Sequence, residues 1–464
     1  MNLPTRLIDV KDPSLDANKV RLAEVQGQRG SYLALSHCWG TGRGLTTTKK
    51  TLGRRKAGIN LRDLPQTFED AVYITRELGH RYIWIDSLCI IQDDEADWRR
   101  ESAKMAEVYS KAYLTIAAAL AHEDIQGFLS ARPVRQYIPL TYPGKGVVYA
   151  FSIPFLQDSA EGYSYTRMFE EPLVKRGWTL QERYLASRTL HFGTTQLSFE
   201  CEEHFLTEDG YANTQLVHYL GPPSGPTISK KWHDVIDAYG KRRLTYSKDK
   251  LIALAGLARV FEERCTHESG KQQYLAGLWR DNLVKYMCWS VGGHGTPVSP
   301  YRAPTWSWAS LEGSISSTPL NGWEEIAKIE DAGVDLAGEN PYGEVKGGWV
   351  RIRTARMSLK RKPGDEVMAF MLLDGKLRDM CYVFWDCKLE FEGKDIDAME
   401  LSALGMVWTK GSTNTAVLLI VCEKQRDGRS VYERLGIIQA SNSEVADEYK
   451  RRHEQGKTEV MVLV

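Results

Sequence analysis

The chain predicts an α/β protein: an open, mostly parallel sheet with helices on both faces, then a helical segment and a β-rich C-terminal unit. Three observations carry this. Residues 81–119 read RYIWIDSLCI, IQDDEADWRRESAKMAEVYSKA and YLTIAAA, two apolar β-branched and aromatic runs around a stretch of helical period. A third run, SYLALS, stands upstream of another helical stretch, so the order is strand, helix, strand, helix, strand. The runs of the crossover are apolar on both faces, as covered parallel strands require, and a right-handed crossover makes them parallel.

In chain order, LIDV and VRLAEV within residues 3–28 read as edge strands of an extended lead-in. Residues 32–36 form the first core strand, since Gly30 precedes it and Gly40, Gly42 and Gly44 follow. Residues 46–62 are polar, basic and loop-like. Leu64 and Pro65 open a helix whose Phe68, Ala71, Val72, Thr75 and Leu78 share one face, and Gly79 ends it. The second core strand spans 82–90. In the helix that follows, Trp98, Ser102, Met105, Tyr109 and Ala112 share a face, with Asp93, Asp94, Glu95 and Asp97 suited to its N-terminus. The third strand spans 113–118. QYIPLTY and VVYAFSI read as strands, KRGWTLQERYLA as a short helix, and RTLHF with QLSFEC as a hairpin around Gly193-Thr-Thr. GPPSGP at 221–226 is the clearest linker. Helical periods dominate 231–290, and short strands such as VRIRTARMSL and TAVLLIVCE follow. The expected domains are 1–220 (core 31–199), a helical segment 227–295 and a β-rich region 296–464.

A chain of 464 residues exceeds one ordinary core. Lys+Arg and Asp+Glu are equal at 60 each, so no global field favours nucleic acid or an anionic membrane. The longest apolar run, 113–121, is far short of the roughly 18 residues a membrane span needs. The first residues, MNLPTRLIDV, lack a signal-peptide core. Eight scattered cysteines without a CxxC pair suit reduced thiols in the cytoplasm and offer no metal module.

Ligands of open α/β sheets bind beyond the carboxyl ends of the strands. Those ends deliver Ser36, His37, Cys38 and Trp39, then residues 86–94, then residues 119–124. Gly40-Thr-Gly-Arg-Gly fails the spacing of a dinucleotide loop and lacks the Lys-Ser/Thr of a P-loop. A flexible turn is the plainer reading, although Arg43 suits a phosphate nest. His37 and Cys38 are adjacent and point to opposite faces, which argues against a dyad. A rim hydrogen bond suits His37, and packing suits Cys38 and Cys89. Asp86, in an apolar strand, needs partners: it caps backbone N–H groups or serves as a ribose-binding or catalytic carboxylate. Glu182, in Trp178-Thr-Leu-Gln-Glu, lies on a short helix and is either a solvated face or a site group.

YLALSHCWG, LPQTFEDAVYITRELGHRYIWIDSLCIIQDD, DWRRESAKMAEVYSKAYLTIAA and RGWTLQERYLASRTLHF together resemble the fungal heterokaryon-incompatibility (HET) domain, in family order, over residues 31–199. YLAGLW and APTWSWAS resemble segments that often follow it. The resemblance implies a cytoplasmic fungal protein of allorecognition whose activation triggers programmed cell death. The family is a distant relative of TIR domains, which have a flavodoxin-like sheet and several of which hydrolyse NAD. The TIR catalytic glutamate stands in a Trp-Cys-x-x-Glu pattern. Trp178-Thr-Leu-Gln-Glu182 is similar, with Thr179 in place of Cys and an insertion at 123–175 before it.

Two functions follow from the resemblance. One is an NAD glycohydrolase with NAD as substrate and no cofactor or metal, Glu182 catalytic, and Ser36, His37, Trp39, Gly40, Arg43 and Asp86 binding the nucleotide. A carboxylate beside the ribose suits an oxocarbenium-like transition state. The other is a non-enzymatic module that self-associates or binds a partner incompatibility protein to trigger death.

Overall fold

The computed structural model describes every residue except 41, 43, 133–136, 143, 145, 151–170, 214–227, 270–271, 318–319, 362–367, 374–375, 388–398, 412–413 and 442. The chain divides into two units, Met1–Gly221 and Pro222–Val464. The expected linker at 221–226 lies outside the described residues.

The first unit opens with β1 (Arg6–Asp9), β2 (Lys19–Glu24) and β3 (Leu33–Ser36). Then come α1 (Leu52–Ala57), β4 (Ile59–Asn60), α2 (Gln66–Glu77) and β5 (Tyr82–Trp84). Three short helices follow, α3 (Asp86–Cys89), α4 (Glu95–Ser102) and α5 (Met105–Lys111), ahead of β6 (Leu114–Ala117). A hairpin of β7 (Ile138–Tyr142) and β8 (Gly146–Ala150) stands apart as its own two-stranded sheet. Helix α6 (Thr179–Leu185) leads to β9 (Arg188–Phe192), β10 (Leu197–Cys201), β11 (Phe205–Thr207) and β12 (Ala212–Asn213).

One ten-stranded sheet runs β12-β11-β10-β9-β6-β3-β5-β1-β2-β4. The three core strands expected from the sequence are parallel neighbours, with Leu33 opposite both Ile83 and Leu114. β9 joins them in parallel against β6. The expectation of a mostly parallel sheet is corrected outside this four-stranded centre: β1, β2 and β4 on one side and β10, β11 and β12 on the other pair antiparallel. The connections from β9 through β12 are too short for crossovers, so each strand must turn straight back. β1, expected at an edge, lies inside between β5 and β2.

Two further expectations are corrected. The second strand ends at Trp84 rather than at residue 90, because the Asp86 carboxylate accepts from the Ser87 N–H and starts a helical turn that buries Leu88 and Cys89. Short apolar runs do not by themselves separate a strand from a buried turn of helix. The helix expected across the crossover is two, broken at Ala103 and Lys104. Asp94 caps α4 by accepting from Ala96 and Asp97 N–H groups. α4 buries Asp97 and Glu101 rather than Trp98 and Ser102. The Arg6 guanidinium, which also donates to the Cys89 carbonyl, meets Asp97 at 2.5 Å, while Arg100 pairs with both Asp97 and Glu101 and Lys104 pairs with Glu101. α5 buries Met105 and Tyr109 as expected, and the Tyr109 ring meets Trp84 edge-on at 5.5 Å.

The second unit joins helices Ile228–Gly240 and Ala255–Ser269 to a β-rich part. Trp232, Phe261, Tyr274 and Trp279 pack ring against ring, so many of the tryptophans are core. Six antiparallel strands, Arg356–Arg361, Met368–Leu373, Lys376–Trp385, Arg429–Ala440, Thr415–Arg426 and Leu401–Thr409, pair in a closed ring. Met357, Met371, Val383, Leu418, Ile420, Ile438 and Tyr449 are part of its core. No described helix is long and apolar enough to cross a membrane.

Candidate functional site

β3 carries Ser36 at its carboxyl end, in register with Ala117 of the parallel neighbour. Short α6 delivers Glu182 there. The turn that starts α6 is held by Thr179, whose hydroxyl lies 2.8 Å from both the Leu173 and Arg176 carbonyl oxygens. Thr179 thus anchors the start of α6.

The Ser36 hydroxyl donates to Glu182 Oε2 at 2.5 Å, and Glu182 is only 5% exposed. Burial pushes the Glu182 carboxyl up to about 7, and the Asp86 charge pushes the same way; Ser36, Arg176 and Tyr109 oppose them. Asp86 stands at the start of α3. Its Oδ2 accepts from Trp39 Nε1 at 2.9 Å and its Oδ1 from the Ser87 N–H at 2.7 Å. It caps a backbone N–H and also faces the rim, with its side chain 18% exposed.

His37 Nδ1 lies 3.8 Å from Asp86 Oδ1, but burial pulls the imidazole down to about 4, so it is neutral near pH 7. Its ring meets Phe68 edge-on at 5.0 Å, and Nε2 has no hydrogen-bond partner among the described residues. Burial pushes the Cys38 thiol up to about 11, and with Ala117, Ala119 and Leu173 it forms a small apolar cluster. Gly40 has φ +79°, and a Cβ there would come within 2.4 Å of Glu123 Cβ, so only glycine fits without movement. Arg43 lies outside the described residues.

The structure thus groups Ser36, Glu182, Asp86, Trp39 and His37 at one end of the parallel strands. Two residues beside this group were not singled out as site residues from the sequence. Arg176 donates to the His37 carbonyl at 2.5 Å and lowers the cost of charge on Glu182. Tyr109 donates to the Leu35 carbonyl at 3.1 Å and also faces Glu182. The available signal was the hydroxyl on a helix face otherwise read as core, since a buried Tyr hydroxyl needs a partner.

A second buried charge cluster lies next along α6. Arg183 forks onto Glu200 at 2.8 and 3.1 Å, and His191 Nε2 lies 2.9 Å from the same carboxylate. Burial alone would raise the Glu200 carboxyl, but Arg183 and His191 hold it well below the usual range. These groups satisfy one another and tie α6 to β9 and β10. Among the described residues no group of three or more His, Cys, Asp or Glu is placed to hold a metal ion.

Parallel strands with a buried carboxylate and a rim carboxylate at their carboxyl ends define an α/β domain with a polar, electrostatically tense site. Residues 32–182 match the family model described as heterokaryon incompatibility protein (HET), and this segment of the chain is a HET domain. No curated protein and no solved structure matches the chain.

Proposed function

We propose that the chain is a cytoplasmic fungal effector of heterokaryon incompatibility that triggers cell death by hydrolysing NAD at the nicotinamide–ribose bond. The HET domain supports the incompatibility role. The observation that carries the chemistry is Glu182, buried at the carboxyl ends of the parallel strands and held by Ser36. Nicotinamide leaves NAD as a neutral molecule, so its departure needs no strong acid. What the step needs is negative charge beside the forming oxocarbenium ion, which the Glu182 carboxylate supplies, with water completing the hydrolysis. Asp86, which accepts from Trp39 and is partly exposed, would take the ribose hydroxyls. Because Glu182 is nearly enclosed, α6 must shift to admit a ribose. The test is to incubate the purified chain with NAD and follow nicotinamide release; release supports the reading, and none from protein that kills cells contradicts it.

A second reading, a self-associating module, is favoured by one observation. The β7–β8 hairpin exposes Ile138, Leu140, Val147, Val148 and Tyr149, with Ile138 and Tyr149 each 63% exposed. Among the described residues these two strands form a sheet of their own, and an isolated two-stranded hairpin is marginal in water. Association that persists in an NAD-inactive variant and still kills would favour this reading over the first.

A further inference from the structure

The chain from Glu171 to Leu185 is one hydrogen-bonded piece that lies across the carboxyl ends of the parallel strands. It opens with a 3₁₀ turn at Pro172–Lys175 and ends with α6, and the Thr179 hydroxyl joins the two through the Leu173 and Arg176 carbonyls. Along the way the Leu173 N–H donates to the Ala119 carbonyl just past β6 at 3.3 Å, Arg176 donates to the His37 carbonyl just past β3 at 2.5 Å, and Glu182 accepts from Ser36. Both ends are tied to the same β9–β10 hairpin. At the α6 end Arg183 forks onto Glu200 of β10. At the other end the buried Glu171 carboxylate accepts from Thr194 twice at the hairpin's turn, from its backbone N–H at 2.7 Å and from its hydroxyl at 2.8 Å.

The two ties are unequal. Arg183 and Glu200 form a bidentate ion pair whose side chains are only 8% and 12% exposed, and α6 passes into β9 through Ala186 and Ser187 alone, so this end is fixed to the sheet. Glu171 is held by an amide and a hydroxyl of an exposed residue, where water competes for both partners. The apolar contact next to it is small, Leu173 with Cys38, Ala117 and Ala119. We propose that residues 171–185 are a strap over the candidate site, hinged at Ala186 and Ser187 and closed by the Glu171–Thr194 clasp, and that release of the clasp uncovers Glu182. This rests on the reading of Glu182 as the reactive carboxylate, because only then must a ribose reach a group that is 5% exposed.

The test is Glu171→Ala in the full chain, which removes both acceptors, beside Glu171→Gln, whose amide still accepts from the Thr194 N–H and can donate to a reversed hydroxyl. Amide hydrogen exchange over residues 171–185 should quicken about tenfold or more in the alanine variant, with β3 and β6 unchanged, and return toward wild type in the glutamine variant. KM for NAD should fall by the same factor with kcat unchanged, because the open form becomes a larger share of the chain. Unchanged exchange over 171–185, or equal quickening across β3 and β6, overturns the proposal. So does local quickening in a chain that cleaves NAD with an unmoved KM. Local quickening in a chain that cleaves no NAD supports the strap and rejects catalysis by Glu182. If Glu171→Ala does not fold, Thr194→Val, at the exposed turn, removes only the hydroxyl bond and should give a smaller local quickening; none overturns the proposal.

Discussion

Glu182→Gln should make the protein more stable at neutral and alkaline pH, and the size of the effect follows from the site. Burial and the Asp86 charge raise the Glu182 carboxyl from the ordinary 4.5 to about 7 in the folded chain. An acid raised by folding is bound without penalty while protonated, below the unfolded value. As pH climbs from 4.5 through 7, the unfolded chain ionises more readily than the folded one, and stability drains away. Above the folded value the loss is complete, at about 3 kcal/mol. Glutamine keeps the shape and an acceptor for Ser36 but cannot ionise. Urea unfolding of both proteins at intervals from pH 4 to 8.5 should therefore give curves that diverge with pH. Glutamine should gain about 3 kcal/mol relative to wild type across this range, whatever constant offset the amide introduces. Curves that stay parallel would refute the reasoning, because they would mean that Glu182 is solvated or already compensated in the folded chain. A gain of this kind marks a group kept at the expense of stability, as site residues often are.

The other predictions bear on packing. Asp386 accepts from Arg434 at 2.7 and 3.0 Å, while Arg434 also donates to the Met287 and Trp289 carbonyls and stacks 3.3 Å over the Trp289 ring. Asp386→Ala leaves that guanidinium buried without its anion and should cost about 3–5 kcal/mol by thermal unfolding; a loss below about 1 kcal/mol would show that water replaces the carboxylate. Trp84→Ala and Met105→Ala each open space between sheet and helix and should each cost about 2–5 kcal/mol. Unchanged melting temperatures for both would misplace that core.

What the sequence made legible was local periodicity and its direct consequences. The runs around residues 32–36, 82–90 and 113–118 are strongly apolar, and a helix between successive runs leaves little choice but parallel neighbours, although only Tyr82–Trp84 of the second run is strand. The RTLHF and QLSFEC hairpin was equally plain, because a short polar turn joins two strand-like runs, and it formed with Phe192 opposite Leu197. Periodicity carried no information about pairings made across long sequence separations. β1 enters the sheet interior because Ile8 fits beside Ile83, which nothing in LIDV announces. The core face of α4 differs from the expected one for a related reason: Trp98 and Ser102 follow the helical step, but α4 buries Asp97 and Glu101, and Arg6, 91 positions earlier, pairs with Asp97. For the candidate site, the family resemblance pointed to Glu182 and the strand ends to Ser36 and Asp86. Tyr109 and Arg176 act through a carbonyl and a field, and neither leaves a mark in residue spacing.

The proposed chemistry turns on the charge of Glu182, so its most direct test is the rate of nicotinamide release from NAD by wild type and by Glu182→Gln, both shown to be folded. Removing a preorganised charge from the transition state should lower the rate by about a hundredfold or more, roughly 3 kcal/mol, and the same variant should lose cell killing. A folded glutamine variant that cleaves NAD at the wild-type rate, or kills as well as wild type, would contradict it.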